Sequence, residues 1–573
     1  MFEENYRHKQ RDIFDWESNL PKKVKSHMAI WETLRKEVFE KVDEKSFSVL
    51  YPSHTGRPNS PINQLVTLLT IKELFDWTFR ELEESMSLHI GLLHACSIPM
   101  GESTVSLRTI TNFIQYLREY QDKTGVDLFN LEFNRLVQSQ IESFMVNTKI
   151  ARTDSTEIHT NVCAYNRLQL QIEAIKRLYR VINVADQEYI YGLKANYIKY
   201  DADNYVSMLR TEEIKNEFQK VGQCYLSIIN HFGDKYVDKA EWQMFMRIFE
   251  EQFVVEPGDD DEPKISKKPS KDKTSNDIRA IDDPEATLRY KSNVNHLGFV
   301  GNVVETSDPE AELNLICDIA LCPNNAFDGK MLLDAMDDLV KDRLTELEEI
   351  HYDGGYSGPA LDKKLEQYSI NSVQTGIKGV KCDASMFVEK CEDSYYVTCV
   401  GKQRVKCTRL KKSHRATFDP SICKECEHLA TCKVRWLKTI EKYAFYMSDS
   451  ELSKRLRLSY IQTVPDNRKT LRSGVEATIR QFKYRTRAGK SRLRGLYRHK
   501  LWFTLLALAI NVKRINNYTT GVPKNRRKGR LSSRVNIYVL IFDRIESICG
   551  EFWQIYRTIR PNLCRNRFTW GLC

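Results

Sequence analysis

No apolar run in this 573-residue chain is long enough to cross a bilayer. The most apolar stretch, LWFTLLALAINV from Leu501 to Val512, falls well short of the ~20 residues a spanning helix needs, so it reads as a buried helix. The opening MFEENYRHKQRDIFDWE lacks the apolar core of a secretory signal, and a cytoplasmic protein is expected. There the 15 cysteines are expected as buried thiols or metal ligands, not disulfides. Neither sign of charge dominates, because +10 is modest for this length and excludes a uniformly adhesive basic protein. The placement of charge is uneven, however. Basic residues gather from about Arg404 onward, while Asp259 to Glu262 form an acidic run. A salt-sensitive nucleic-acid face confined to one region is the expectation. The 41% hydrophobic content suffices for a sizeable core, and the length exceeds one typical domain.

The stretch from Arg468 to Lys500 holds twelve Lys or Arg residues and a single carboxylate, Glu476. Residues three, four and seven apart share one face of a helix, so Arg472, Glu476, Ile479 and Lys483 are expected to project together. Such a face suits phosphate and a divalent cation. A solvated basic helix with one intrahelical ion pair would carry the same residues.

Two upstream sites bear on that choice. Asp154 ends a short β-like segment in NTKIARTDSTEIHTN, with Glu157 and His159 close behind; Asp353 stands in LEEIHYDGGYSGPAL, where Gly354 and Gly355 allow a sharp turn at a strand end. Carboxylates at strand ends commonly serve turns. Three of them brought together by a fold would instead offer the oxygen ligands that Mg²⁺ or Mn²⁺ prefer. His159 and His351 lie close to the aspartates in sequence and read as outer partners or surface histidines.

The chain resembles the DDE transposases of bacterial insertion sequences, in the group with a Y-x2-R-x3-E-x6-K signature. Arg472, Glu476 and Lys483 fit that spacing, and Lys469 stands at the tyrosine position. The resemblance extends to DST at Asp154, DPEA at Asp283 to Ala286, GFVGNVV at Gly298 to Val304, YDGGYSG at Tyr352 to Gly358, and NVKRI from Asn511 to Ile515.

The resemblance implies an α/β protein: an RNase H-like catalytic core interrupted by inserts and preceded by an α-helical amino-terminal domain. On this reading residues 1–140 form the helical domain, which would bind element ends or serve support or dimerisation. Residues 141–380 hold the first part of the core, with a helical insert at about 165–253 and a flexible linker or surface loop at about 255–285. Residues 381–440 form a cysteine-rich insert, 441–519 complete the core with the basic helix, and 520–573 are a tail without a functional account. Asp154, Asp353 and Glu476 are the implied catalytic residues and ligands of two Mg²⁺ or Mn²⁺ ions. Arg472, Arg480, Lys483, Arg485 and Arg487 are the implied DNA contacts. Implied partners are the element's terminal inverted repeats and target DNA, with a homodimer in the synaptic complex and a nucleoid location. A nuclease that cuts without joining and a degenerate transposase that only binds DNA are the alternatives.

Seven of the 15 cysteines fall between Cys382 and Cys432. Cys423-x2-Cys426-x5-Cys432 can present thiolates to a structural Zn²⁺; reduced thiols packed as small hydrophobes are the other reading. Cys399 is the favoured fourth ligand through its resemblance to the cysteine-rich insert of related transposases, with Cys407 and His428 as substitutes. Cys549, Cys564 and Cys573 lack ligand spacing.

Overall fold

The computed structural model describes residues 1–6, 27–52, 56–99, 105–256, 264–291, 293–375, 386–391, 394–411, 413–486 and 489–521. It divides into two units, Met1–Lys513 and Arg514–Cys573. All that follows concerns the first. The expected tail, residues 520–573, lies almost wholly outside the described residues.

The amino-terminal region is helical: α1 (Ala29–Leu34), α2 (Ile62–Phe75), α3 (Phe79–Leu88), α4 (Ile90–Ala95), α5 (Leu107–Thr124) and α6 (Leu128–Ser143). Local chemistry sets several boundaries. Thr78 and Glu81 form a reciprocal capping box at α3, Ser106 and Asp127 cap α5 and α6, and Gly125 ends α5 in the left-handed region. Trp31 stacks on Phe75 to tie α1 to α2.

Strand β1 (Ile150–Thr160) then enters the central sheet. Five helices follow: α7 (Arg167–Val181), α8 (Val184–Lys199), α9 (Ala202–Met208), α10 (Thr211–Phe232) and α11 (Ala240–Gln252), close to the expected helical insert. The segment expected as a flexible linker is built into the fold wherever it is described. Strands β2 (Phe253–Glu256) and β3 (Lys264–Lys267) pair, and Ile265, Ile278 and Ile281 join the core of the helical insert. The residues between Ile265 and Ile278 are mostly polar and hide this from a periodicity reading, yet each apolar side chain fully buried stabilises by about 1.5–3 kcal/mol.

The sheet resumes with β4 (Thr287–Lys291), β5 (Val294–Thr306) and β6 (Ile316–Pro323). Helix α12 (Asp328–Asp338), strand β7 (Glu349–Asp353), helix α13 (Pro359–Gln367) and strand β8 (Asn371–Thr375) come next. β5 runs antiparallel to β1 and β6 antiparallel to β5, while β7 is parallel to β1 and β8 parallel to β7, giving the order β6-β5-β1-β7-β8. β4 pairs with the early part of β5.

The cysteine-rich insert is a second sheet of its own. Strands β9 (Met386–Cys391), β10 (Ser394–Cys399), β11 (Arg404–Arg409) and β12 (Ser413–Phe418) precede the short helix α14 (Pro420–Lys424), and β13 (Arg435–Leu437) and β14 (Lys442–Ser448) complete it. Met386, Val388, Val397, Phe418, Phe445 and Met447 pack its core. The chain returns through α15 (Asp449–Thr463), α16 (Asp466–Lys469), α17 (Ser473–Tyr484), β15 (Lys490–Ser491) and α18 (Leu496–Thr519).

The DPEA segment has a plain structural use. Gly495 N donates to Asp283 and Leu496 N to Glu285, so two carboxylates meet the unpaired amides at the start of α18. Burial pushes the Asp283 carboxyl up to about 6 in spite of the Gly495 hydrogen bond.

Candidate active site

β1 is paired on one side by β5 along most of its length. Its other side pairs with β7 only at Ile150–Arg152 and with β15 only at His159–Thr160. Among the described residues, the segment between those pairings has no strand on that side, and Asp154 lies there. β7 ends at Asp353, which caps the 3₁₀ turn Gly354–Tyr356 by accepting from Gly355 N. α17 packs over the same place with Glu476 in its first turn.

Arg472, at the N-cap of α17, joins the three. Its guanidinium lies 3.0 Å from Asp154 Oδ2, 3.8 Å from Asp353 Oδ2 and 3.5 Å from Glu476 Oε1. The structure therefore brings together Asp154, Asp353 and Glu476, though more than 300 residues separate the first from the last. The three differ in access: the Asp154 side chain is 12% exposed, Asp353 44% and Glu476 60%. Burial holds the Asp154 carboxyl above the usual carboxylate range, while Arg472 and the Ser155 amide pull the other way and Asp353 and Glu476 add to the rise.

The basic residues distribute less uniformly than the sequence implied. Arg480 and Lys483 are exposed on α17. Arg472 is ion-paired with the three carboxylates. Arg485 ion-pairs with Asp76 at 3.2 Å and donates to the Leu74 carbonyl, so it fastens the end of α17 to the amino-terminal helices. Arg487 lies outside the described residues. Ile479 does not share the polar face: it belongs with Val475, Thr478 and Phe482 in the buried stripe, the i, i+3, i+4, i+7 set of this helix.

His351 is fully buried, not a surface histidine. Its Nε2 lies 2.7 Å from Glu349 Oε1, and Tyr460 and Arg468 also meet Glu349. Burial alone would raise the Glu349 carboxyl, but these three partners bring it down to about 2. The group ties α15 and α16 to β7.

Sequence reasoning missed the anchor of the site. Arg152 Nε contacts Glu305 Oε1 at 2.7 Å, Arg152 Nη1 donates to the Leu471 carbonyl, and Thr478 Oγ1 donates to Glu305. A Cβ on Gly474 would lie 1.9 Å from Arg152 Nη1, so any larger residue must push the guanidinium aside where it passes under α17. The available signal was strand alternation, which puts Arg152 on the same face as Asp154.

In the insert, Cys399, Cys423, Cys426 and Cys432 line one cavity of about 200 Å³, as does His428. Gln403 Nε2 lies 3.3 Å from Cys423 Sγ. Burial pushes the Cys423 thiol up, the Gln403 contact lowers it, and the neighbouring thiols raise it further. Cys407 instead packs against the core of the insert sheet, and burial pushes its thiol up to about 11.

Residues 390–516 match a family described as a transposase DDE domain, and residues 18–116 match a transposase domain, DUF772. These two family matches support a DDE transposase of insertion-sequence type. No curated protein and no solved structure matches. The first match covers most of the cysteine-rich sheet together with Arg472, Glu476 and Lys483, and the second covers most of the amino-terminal helices. Asp154 and Asp353 fall outside both. Among the described residues, no helix is long and apolar enough to cross a membrane.

Proposed function

We propose that the chain cuts DNA at the ends of an insertion sequence and joins the freed end to target DNA, using Asp154, Asp353 and Glu476 as the catalytic carboxylates. The observation that carries this reading is the convergence of all three on one guanidinium, at 3.0, 3.8 and 3.5 Å. Carboxylates from a strand interior, a strand end and a helix meet where β1 lacks a neighbour, and a site so rich in oxygen donors and poor in apolar lining suits hard divalent cations. The sheet order and the senses of its strands support an RNase H-like core.

Asp154, Asp353 and Glu476 would hold Mg²⁺ or Mn²⁺, which when bound polarises the phosphodiester and promotes attack by water and then by the 3′-hydroxyl. Arg472 gathers the carboxylates and can offer its remaining donors to a phosphate oxygen. Exposed Arg480 and Lys483 extend positive charge along α17 and would position the backbone without reading bases. The amino-terminal helices would contact the element ends, and two copies would pair the ends for synapsis. Cys399, Cys423, Cys426 and Cys432 would hold a structural Zn²⁺ that steadies the insert away from the reaction.

The test is incubation of the purified chain with labelled DNA spanning an element end, with Mg²⁺ or Mn²⁺, beside a Glu476→Gln variant and an EDTA control. Metal-dependent cutting at the boundary followed by joining, both lost in the variant, is expected. Cutting without joining would make the chain a nuclease, and binding without cutting a DNA-binding derivative; either result overturns the proposal.

A further inference from the structure

β1 carries a second group of metal-type donors, on the face opposite Asp154. Alternation places Ser155, Glu157 and His159 together there. In the antiparallel register with β5, Glu157 stands opposite Val300 and His159 opposite Gly298. His296, two residues before Gly298, shares that face and lies diagonally across from His159. Gly298 has φ +154°, and a Cβ there would lie 2.1 Å from the Ile158 carbonyl oxygen. The missing side chain lets the β5 backbone approach Ile158 and His159 of β1.

The rings sit with centroids 4.7 Å apart, and His296 Nδ1 is 3.9 Å from Glu157 Oε2. Among the described residues, this is the one group of three or more His, Cys, Asp or Glu whose donor atoms all lie within 4.8 Å of one another. All three residues are half-buried. Glu157 Oε1 is ion-paired with the exposed Lys291 Nζ at 3.3 Å, and Oε2 faces His296.

We propose that Glu157, His159 and His296 form a binding site for one borderline divalent ion such as Zn²⁺ or Co²⁺. Two imidazole nitrogens and one carboxylate oxygen suit such an ion, whereas the all-carboxylate group on the other face suits Mg²⁺ or Mn²⁺. Three protein ligands leave a coordination position open to water or an incoming oxygen ligand. The ion would also pin β1 to β5 just before β15 begins. This inference rests on the three side chains and does not depend on the transposase reading.

The test is Co²⁺ titration of the full chain, wild type against a His159→Gln/His296→Gln double variant, followed by visible and near-ultraviolet absorption. Cobalt on thiolates gives sulfur-to-metal charge transfer, so any ion in the cysteine cavity is distinguishable from one on nitrogen and oxygen. The wild type is expected to bind one more equivalent than the variant, the difference spectrum showing d–d bands without charge transfer. Equal stoichiometry and spectra overturn the proposal. Should circular dichroism show the double variant unfolded, Glu157→Gln serves instead: its Co²⁺ affinity should fall by about tenfold or more, since even outer partners of a site contribute that much, and an unchanged affinity overturns the proposal equally.

Discussion

Two arginines cross between β1 and α17 in opposite directions, and their surroundings make them different things. Arg152 leaves β1 to meet Glu305, whose side chain is 0% exposed, and the Leu471 carbonyl. Thr478 completes the coordination of Glu305 from the helix. Arg472 leaves α17 to meet Asp154, Asp353 and Glu476, two of which remain substantially open to water. The first group is a closed ion pair with its hydrogen bonds made, and it acts as a bolt. The second sets three carboxylates around one guanidinium, two of them open to solvent, the arrangement that the proposed cation binding requires. Closure and charge balance, not residue type, separate an anchor from a site that can bind and release.

Removing one partner of the closed pair should have the largest effect. Arg152→Ala leaves Glu305 buried without its guanidinium and is expected to cost about 3–5 kcal/mol, read by urea unfolding. A loss below about 1 kcal/mol would place Arg152 among surface ion pairs and remove the contrast. Gly474→Ala probes the same bolt without touching a charge. The added methyl would displace a guanidinium fixed at both ends, costing about 1–3 kcal/mol, and the metal-dependent activity should fall with it because α17 carries Glu476. An unchanged melting temperature would show that Arg152 can shift freely.

The open site should reveal itself through pH. The Asp154 carboxyl is raised, so protons compete with cations above the ordinary carboxylate range. Mn²⁺ binding, followed by electron paramagnetic resonance, should weaken as pH falls through that raised value, and Arg472→Gln should move the limb further up because a charge holding the pKa down is lost. The stability linkage has the opposite sense. A folded pKa above the unfolded one makes ionisation costly in the fold, so without metal Asp154 favours the folded state more as pH falls from the raised value toward the unfolded one. A binding limb that stays put in the variant would show that Arg472 does not act on these carboxylates. The smallest expected effect is on stability: Arg472→Gln should change it by no more than about 1 kcal/mol, since two of its three partners are substantially open to solvent and its loss also relieves the burial of a charge beside Asp154.

Much of this architecture was legible in the chain. A β-like segment before Asp154 marked β1, a strand end at Asp353 marked β7, and helical stretches were expected in the amino-terminal region and at about 165–253, where helices stand. The stripe Val475, Thr478, Ile479 and Phe482 was readable in the same way, although Ile479 had been assigned to the polar side. Arg485 was indistinguishable by composition from Arg480; only its approach to Asp76 and the Leu74 carbonyl separates them. Within the segment read as a linker or surface loop at 255–285, Ile265, Ile278 and Ile281 are buried in the core of the helical insert, a placement that composition did not indicate.

The sequence by itself determined the local elements, the clustering of basic charge, the spacing of Arg472, Glu476 and Lys483, and the cysteine knuckle. These depend on neighbours within a few residues, where dihedral preference and periodicity act. The tertiary structure alone decided that Arg472 binds three carboxylates instead of solvent, that Arg152 and Glu305 bolt the helix, and that Glu157, His159 and His296 meet. Each of those contacts joins residues separated by up to several hundred positions. Register across β5 and the missing side chain at Gly298 set which atoms face each other, and no local rule in the chain encodes that distance.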